Sequence, residues 1–112
     1  MLDSNSNLII YLEKGSGKNE KSKLWMKPCV YILKCANGLY YTGSTHDLEK
    51  RLAEHQSGQG ANFTRKHLPV ELVYFEEYDR IDEAYFREKQ IQGWIRKKKE
   101  ALIKGELDKL PD

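Results

Sequence analysis

Arg51 and His55 stand four residues apart, with Leu48 and Leu52 at the same spacing. A helix through this stretch sets a guanidinium and an imidazole beside an apolar stripe rather than out in water. That placement suits a phosphate clamp. The competing reading makes Arg51 a solvated helix residue and His55 a partner for the negative end of the helix dipole. Glu88 is more informative: Ala84, Glu88, Ile91 and Ile95 fall at i, i+4, i+7 and i+11, which places a carboxylate inside an apolar stripe. A carboxylate buried without a partner is costly, so it needs an Arg, a hydrogen-bond network or a metal ion. A salt bridge to Arg51, or a rotation that leaves Glu88 at the edge of its stripe, would also satisfy it.

Two tyrosines are candidates for the same chemistry, and the elements that carry them decide whether they meet. The run Cys29-Val30-Tyr31-Ile32-Leu33-Lys34-Cys35 is β-branched and apolar, Asn37-Gly38 is a tight-turn signal, and Leu39-Tyr40-Tyr41-Thr42-Gly43 resumes as a strand. The prediction is a β-hairpin. A three-residue loop of Ala36, Asn37 and Gly38 pairs Tyr31 with Gly43 and Leu33 with Tyr41, so that both tyrosines share a face. A two-residue loop puts them on opposite faces unless a bulge intervenes. Composition alone reads such tyrosines as packing residues.

The remaining elements follow from similar signals. Ser44-Thr45-His46-Asp47 starts a helix, with Thr45 as cap and Asp47 and Glu49 in the first turn, and Ser57-Gly58-Gln59-Gly60 ends it. Val70-Glu71-Leu72-Val73-Tyr74-Phe75, after Pro69, reads as a third and largely buried strand. Asp82 opens a helix through Ala84, Glu88, Ile91 and Ile95, with Gly93 as a break point and Ala101-Leu102-Ile103 packing the end. The order β-β-α-β-α-α gives an α+β fold, a small three-stranded antiparallel sheet flanked by helices. Residues 1–27, rich in Ser, Asn, Gly and Lys around a short apolar run at 8–12, read as a flexible leader dispensable for activity. The domain is expected over 28–104, with a short tail over 105–112. No internal repeat and no phosphate-cradling Gly-rich loop occurs.

The 112 residues suffice for one domain with a real core. Nineteen basic against 17 acidic side chains leave a net charge of +2, too small to argue for nucleic acid without a favourable distribution. Cys29 and Cys35 lie on one strand, too far apart for a disulfide. With no apolar leader upstream, reduced thiols and a cytoplasmic location are the expectation. Neither Cys-x-x-Cys nor His-x-x-x-His spacing marks a zinc site, and no run is long enough for a membrane helix.

Taken together, Cys29-Val30-Tyr31, then Tyr41-Thr42-Gly43, then Arg51, His55 and Glu88, resemble the GIY-YIG nuclease family over roughly residues 27–104, and most closely its small stand-alone bacterial members. The resemblance implies that Tyr31 acts as general base or positions the attacking water, that Tyr41 is the second-motif tyrosine, that Arg51 contacts the scissile phosphate, and that His55 is the helix residue following it. It makes Glu88 the ligand of one divalent ion, Mg²⁺ or Mn²⁺, a cation that commonly keeps several waters beside a single carboxylate. It also requires the hairpin register that sets both tyrosines on one face. The chain departs from the family in Cys29 for the first Gly, Val30 and Thr42 for Ile residues, and in lacking an Asn after Glu88.

Basic residues gather at Lys50-Arg51, Arg65-Lys66-His67 and Arg96-Lys97-Lys98-Lys99, with Tyr40, Phe63 and Trp94 nearby in sequence as stacking rings. Lys50, Arg65, Lys66, Arg96, Lys97 and Lys98 are therefore the candidate backbone contacts, against the reading of 96–99 as a solvated helix face. Once the core is assembled no recognition helix is left over, so the expected substrate is DNA recognised by structure or with weak sequence preference, in repair or processing, with RNA open and a protein partner as a route to targeting. The rival is a catalytically weak nucleic-acid-binding or partner-binding module on the same fold. A third reading is a structural interaction domain in which Glu88 pairs with Arg51.

Overall fold

The computed structural model describes residues 27–110; the leader expected over 1–27 lies, but for its last residue, outside the described residues. Strand β1 (Cys29–Lys34) is central, with β2 (Tyr40–Thr45) on one side and β3 (Glu71–Glu77) on the other, all antiparallel. Helix α1 (Leu48–Gln56) and a four-residue helix α2 (Asn62–Arg65) lie between β2 and β3 in the chain, and α3 (Ile81–Gln92) and α4 (Arg96–Lys104) follow. The fold is thus the expected α+β arrangement with one addition, α2, which no periodicity announced.

Five consecutive residues of β1 are buried, because each face of the strand meets its own layer. Tyr31 and Leu33 pack with Leu52 of α1, Val70 and Leu72. Val30 and Ile32 pack with Ile91 of α3 and Leu102 of α4. A strand covered on both faces gives up the polar alternation of a half-exposed strand, which is why its sequence reads as an unbroken apolar run. Leu107, in a short 3-10 turn over Leu107–Lys109, joins the second cluster and ties down the expected tail.

The hairpin takes the three-residue loop: Tyr31 pairs with Gly43 and Leu33 with Tyr41, and Gly38 turns the chain at φ 86°. Three local expectations are corrected. Asp47, not Thr45, caps α1, its side chain accepting from the Lys50 amide at 3.1 Å, while Thr45 Oγ1 accepts from the Asp47 amide one step earlier. β3 is an edge strand with mostly half-buried residues, and the extra Val73 makes a bulge opposite the Ile32–Leu33 step. The stripe drawn from Ala84 to Ile95 ends at Ile91: α3 stops at Gln92, Gly93 caps it, and Ile95 is 72% exposed because the chain has changed direction before it.

Candidate active site

Tyr31 reaches the α1 face of the sheet from the central strand and is buried. Its cross-strand partner is Gly43, and the reason is steric: a Cβ at position 43 would lie 2.5 Å from Tyr31 Oη and 2.7 Å from Cζ. Tyr41, two residues earlier on β2, projects to the same face, its ring centroid 6.4 Å from that of Tyr31.

His55 closes the group from the last turn of α1. Rather than facing solvent at the helix end, it is fully buried, with ring centroids 5.7 Å from Tyr31 and 5.1 Å from Tyr41. Its Nε2 shares a 2.8 Å hydrogen bond with Tyr31 Oη, and its Nδ1 shares another of 2.8 Å with Thr64 Oγ1 of α2. Gly60 permits this seat, since a Cβ there would fall 2.9 Å from both Cα and Cγ of His55. Arg51, one turn earlier, is about one-third exposed and pairs with Glu54 at 2.9 Å.

Burial governs the electrostatics here. It pushes the Tyr31 hydroxyl well above the usual tyrosine range, and the Arg51 guanidinium only partly opposes it. The same burial, reinforced by the positive charge of Arg51, pushes His55 down to about 4, so the imidazole is neutral at physiological pH.

Glu88 approaches from the other side of the same edge strand. Thr42 and Ser44 alternate with Tyr41 and Gly43 along β2, and Ser44 Oγ donates to Glu88 Oε1 at 2.5 Å. Gln92 Nε2, one turn along α3, donates to Glu88 Oε2 at 2.8 Å and to the Thr42 carbonyl at 3.1 Å. The carboxylate is 12% exposed, and Lys89 Nζ lies 3.7 Å from it. Neither Glu88 nor Arg51 takes the other as partner: the salt bridge considered between them gives way to Ser44 and Gln92 on one side and Glu54 on the other. Glu88 is nonetheless among the charges that bear on Tyr31, so the two halves lie within electrostatic reach across β2.

The shape is that of a tyrosine–histidine pair beside an arginine, with a braced carboxylate across an edge strand. Among known families, the model described as the GIY-YIG catalytic domain matches residues 27–101. The chain belongs to the GIY-YIG family. It is 47% identical over 77 residues to a UPF0213 protein of Natronomonas pharaonis, covering 69% of this chain and 91% of that protein. It is likewise 47% identical over 77 residues to a UPF0213 protein of Staphylococcus saprophyticus, covering 69% and 94%. Among solved structures it is similar to the solution NMR structure of the protein EF2693 from E. faecalis, at 36% identity and a TM-score of 0.50, covering 70% of this chain and 84% of that one.

The GIY-YIG fold brings Tyr31, Tyr41, Arg51 and His55 together on one face and Glu88 to the rim of β2. The six further basic residues are divided. Lys50, Arg65 and Lys66 are exposed on α1 and at α2. Arg96, Lys97 and Lys98 ride on α4, the helix packed against the opposite face, where Arg96 stacks over Tyr40 at 4.8 Å and Lys98 over Trp94 at 4.2 Å. Sequence reasoning missed Ser44, Gln92 and Thr64. Gln92 was findable from its i+4 spacing to Glu88, and Ser44 from strand alternation; nothing marked Thr64. It also missed the Glu76 carboxylate, which accepts from Tyr74 and Tyr78 and pairs with Arg87 at 3.0 Å, bracing β3 to α3. No described helix is long and apolar enough to cross a membrane.

Proposed function

We propose that this protein is a metal-dependent endonuclease that hydrolyses DNA phosphodiester bonds, with structural or weak sequence preference, in DNA repair or processing. The observation that carries the reading is the buried hydrogen bond between Tyr31 and a neutral His55 beside Arg51. Phosphodiester hydrolysis needs a water relieved of its proton as it attacks, and a counter-charge at the phosphate. Tyr31 alone is a poor base, because burial disfavours its phenolate. With His55 Nε2 at 2.8 Å the problem changes. As the attacking water passes a proton to Tyr31 Oη, the phenol passes its own to His55 Nε2. The oxygen of water becomes bonded to phosphorus as the bond from phosphorus to the leaving sugar oxygen breaks, that oxygen departing as an alkoxide that takes a proton from solvent; the tyrosine stays neutral, and the positive charge appears on the imidazole. Arg51, partly exposed beside Tyr31, meets the phosphate charge.

Glu88 fits the role of ligand for a single hard divalent ion. Its carboxylate is almost buried, and hydrogen bonds from Ser44 and Gln92 fix its orientation. An Mg²⁺ or Mn²⁺ ion there would supply Lewis-acid stabilisation of the phosphate and the departing oxygen. Lys50, Arg65 and Lys66 lie on the Tyr31 side of the sheet and would guide the backbone into it.

The test is incubation with labelled single-stranded, duplex, flap and branched DNA, and with matched RNA, in Mg²⁺, Mn²⁺ or EDTA. Cleavage of DNA that requires the metal and disappears in Glu88→Ala is the expected result. Salt-sensitive binding without cleavage in any metal would overturn the assignment in favour of a binding module.

A further inference from the structure

We propose that Thr64 is a positioning residue that fixes the tautomer of His55, and so sets the direction in which the Tyr31 proton moves. The inference rests on the nuclease reading for its catalytic meaning, but the hydrogen-bond chain stands on geometry. Thr64 is fully buried in the short helix α2, and its Oγ1 makes two contacts: 3.0 Å to the Ala61 carbonyl and 2.8 Å to His55 Nδ1. A threonine hydroxyl has one proton. The Ala61 carbonyl can only accept, so a hydrogen bond at that distance takes the Thr64 proton. Oγ1 is then left with lone pairs towards His55, and Nδ1 must carry the imidazole hydrogen. In a neutral ring this leaves Nε2 unprotonated, facing Tyr31 Oη at 2.8 Å. Tyr31 accordingly donates and His55 accepts.

The opposite tautomer would reverse the site. With hydrogen on Nε2, His55 would donate to Tyr31, which would have no acceptor for its own proton when water is to be activated, and Nδ1 would face Thr64 with two acceptors opposed. Thr64 thus does at His55 what a buried carboxylate does at the histidine of a hydrolase triad, holding the ring in the tautomer the chemistry needs without itself taking a proton. A neutral hydroxyl suits this place. The imidazole rests uncharged beside the Arg51–Glu54 pair, and a carboxylate in the same position would favour the imidazolium before any substrate had arrived. The anchor is stiff as well: the Ala61 carbonyl also receives the Arg65 amide at 3.0 Å, and the end of α2 is tied to the hairpin loop by the Ala36 amide donating to the His67 carbonyl at 2.8 Å.

Long-range ¹H–¹⁵N correlation spectra of the three histidine rings in the intact ¹⁵N-labelled protein at neutral pH test this directly, with His55 assigned by its loss in His55→Gln. The wild type is expected to show His55 as one tautomer with hydrogen on Nδ1. Thr64→Val, nearly isosteric but unable to accept, should shift the ring towards hydrogen on Nε2, and Thr64→Ser should restore the wild-type pattern. In cleavage assays the valine variant should lose about 10- to 100-fold in kcat, the range for a lost outer-shell partner, with DNA binding unchanged and serine rescuing the rate. A wild-type His55 with hydrogen on Nε2 would overturn the proposal, as would a folded Thr64→Val whose ring pattern does not change. Should the valine variant not fold, the wild-type spectrum and the serine variant decide the matter on the same criteria. A wild type that shows the Nδ1 tautomer yet cleaves nothing would overturn the nuclease reading alone and uphold the assignment of hydrogen-bond roles.

Discussion

Burial of His55 ties the stability of the fold to pH through a single residue. Buried and held down to about 4, against about 6.5 for a free imidazole, it is neutral in the folded protein over a range where the unfolded chain is protonated. The unfolded state binds more protons between those values, so stability attributable to His55 is full above about pH 7, falls as pH drops through 6.5 and levels off near 4. The shift corresponds to about 3 kcal/mol. Urea titrations at pH 7.5 and 4.5 should show the wild type losing about that much more than His55→Phe, which lacks the group; equal losses would contradict it. Comparing the change with pH, rather than absolute stabilities, removes the packing cost of the substitution and the acid titration of Glu76, common to both proteins. At this scale the sequence was informative where a residue stood out against its surroundings. Glu88 in an apolar stripe and His55 beside Leu52 both announced a reason to leave water. Thr64 did not, because its role depends on one lone pair meeting one ring nitrogen nine residues away.

At the scale of elements, the hairpin decides whether the site exists. Its register follows from a three-residue loop that the dipeptide Asn37-Gly38 permits but does not dictate, and only the pairing of Tyr31 with Gly43 resolves it. The glycine is then obligatory for a reason of space: its φ is unexceptional, but a methyl group at position 43 would collide with the end of the Tyr31 ring. Gly43→Ala is expected to keep the hairpin and push the Tyr31 hydroxyl off His55, lowering cleavage at least about tenfold while the thermal midpoint moves only a few degrees. Full activity in that variant would show that the close approach is not needed. The helices were legible by period and the first strand by its unbroken apolar run. What period could not supply was the end of α3, where the spacing continues to Ile95 after the helix has stopped, and the existence of α2, too short to have a period.

For the molecule as a whole, the sheet acts as a partition: one layer holds the tyrosines, Arg51 and His55, the other holds Glu88, and in the proposed mechanism both serve one phosphate across the edge strand β2. This explains why the composition says so little. A net charge of +2 is shared around both layers, and the candidate backbone contacts fall on α1 and α2 on one side and on α4 on the other. Family membership rests on a match across 75 residues of sheet and helix, whereas the proposed chemistry hangs on the pairing of two side chains at its centre. The most direct measurement is therefore single-turnover cleavage by Tyr31→Phe, on whichever DNA the wild type cuts, with binding measured in parallel. Removing one hydroxyl should lower the cleavage rate by about 100-fold or more, the scale of a lost acid–base group, and leave DNA affinity and folding unchanged. A phenylalanine variant that cuts at the wild-type rate would contradict the account, since the proton path from water to His55 would then run elsewhere.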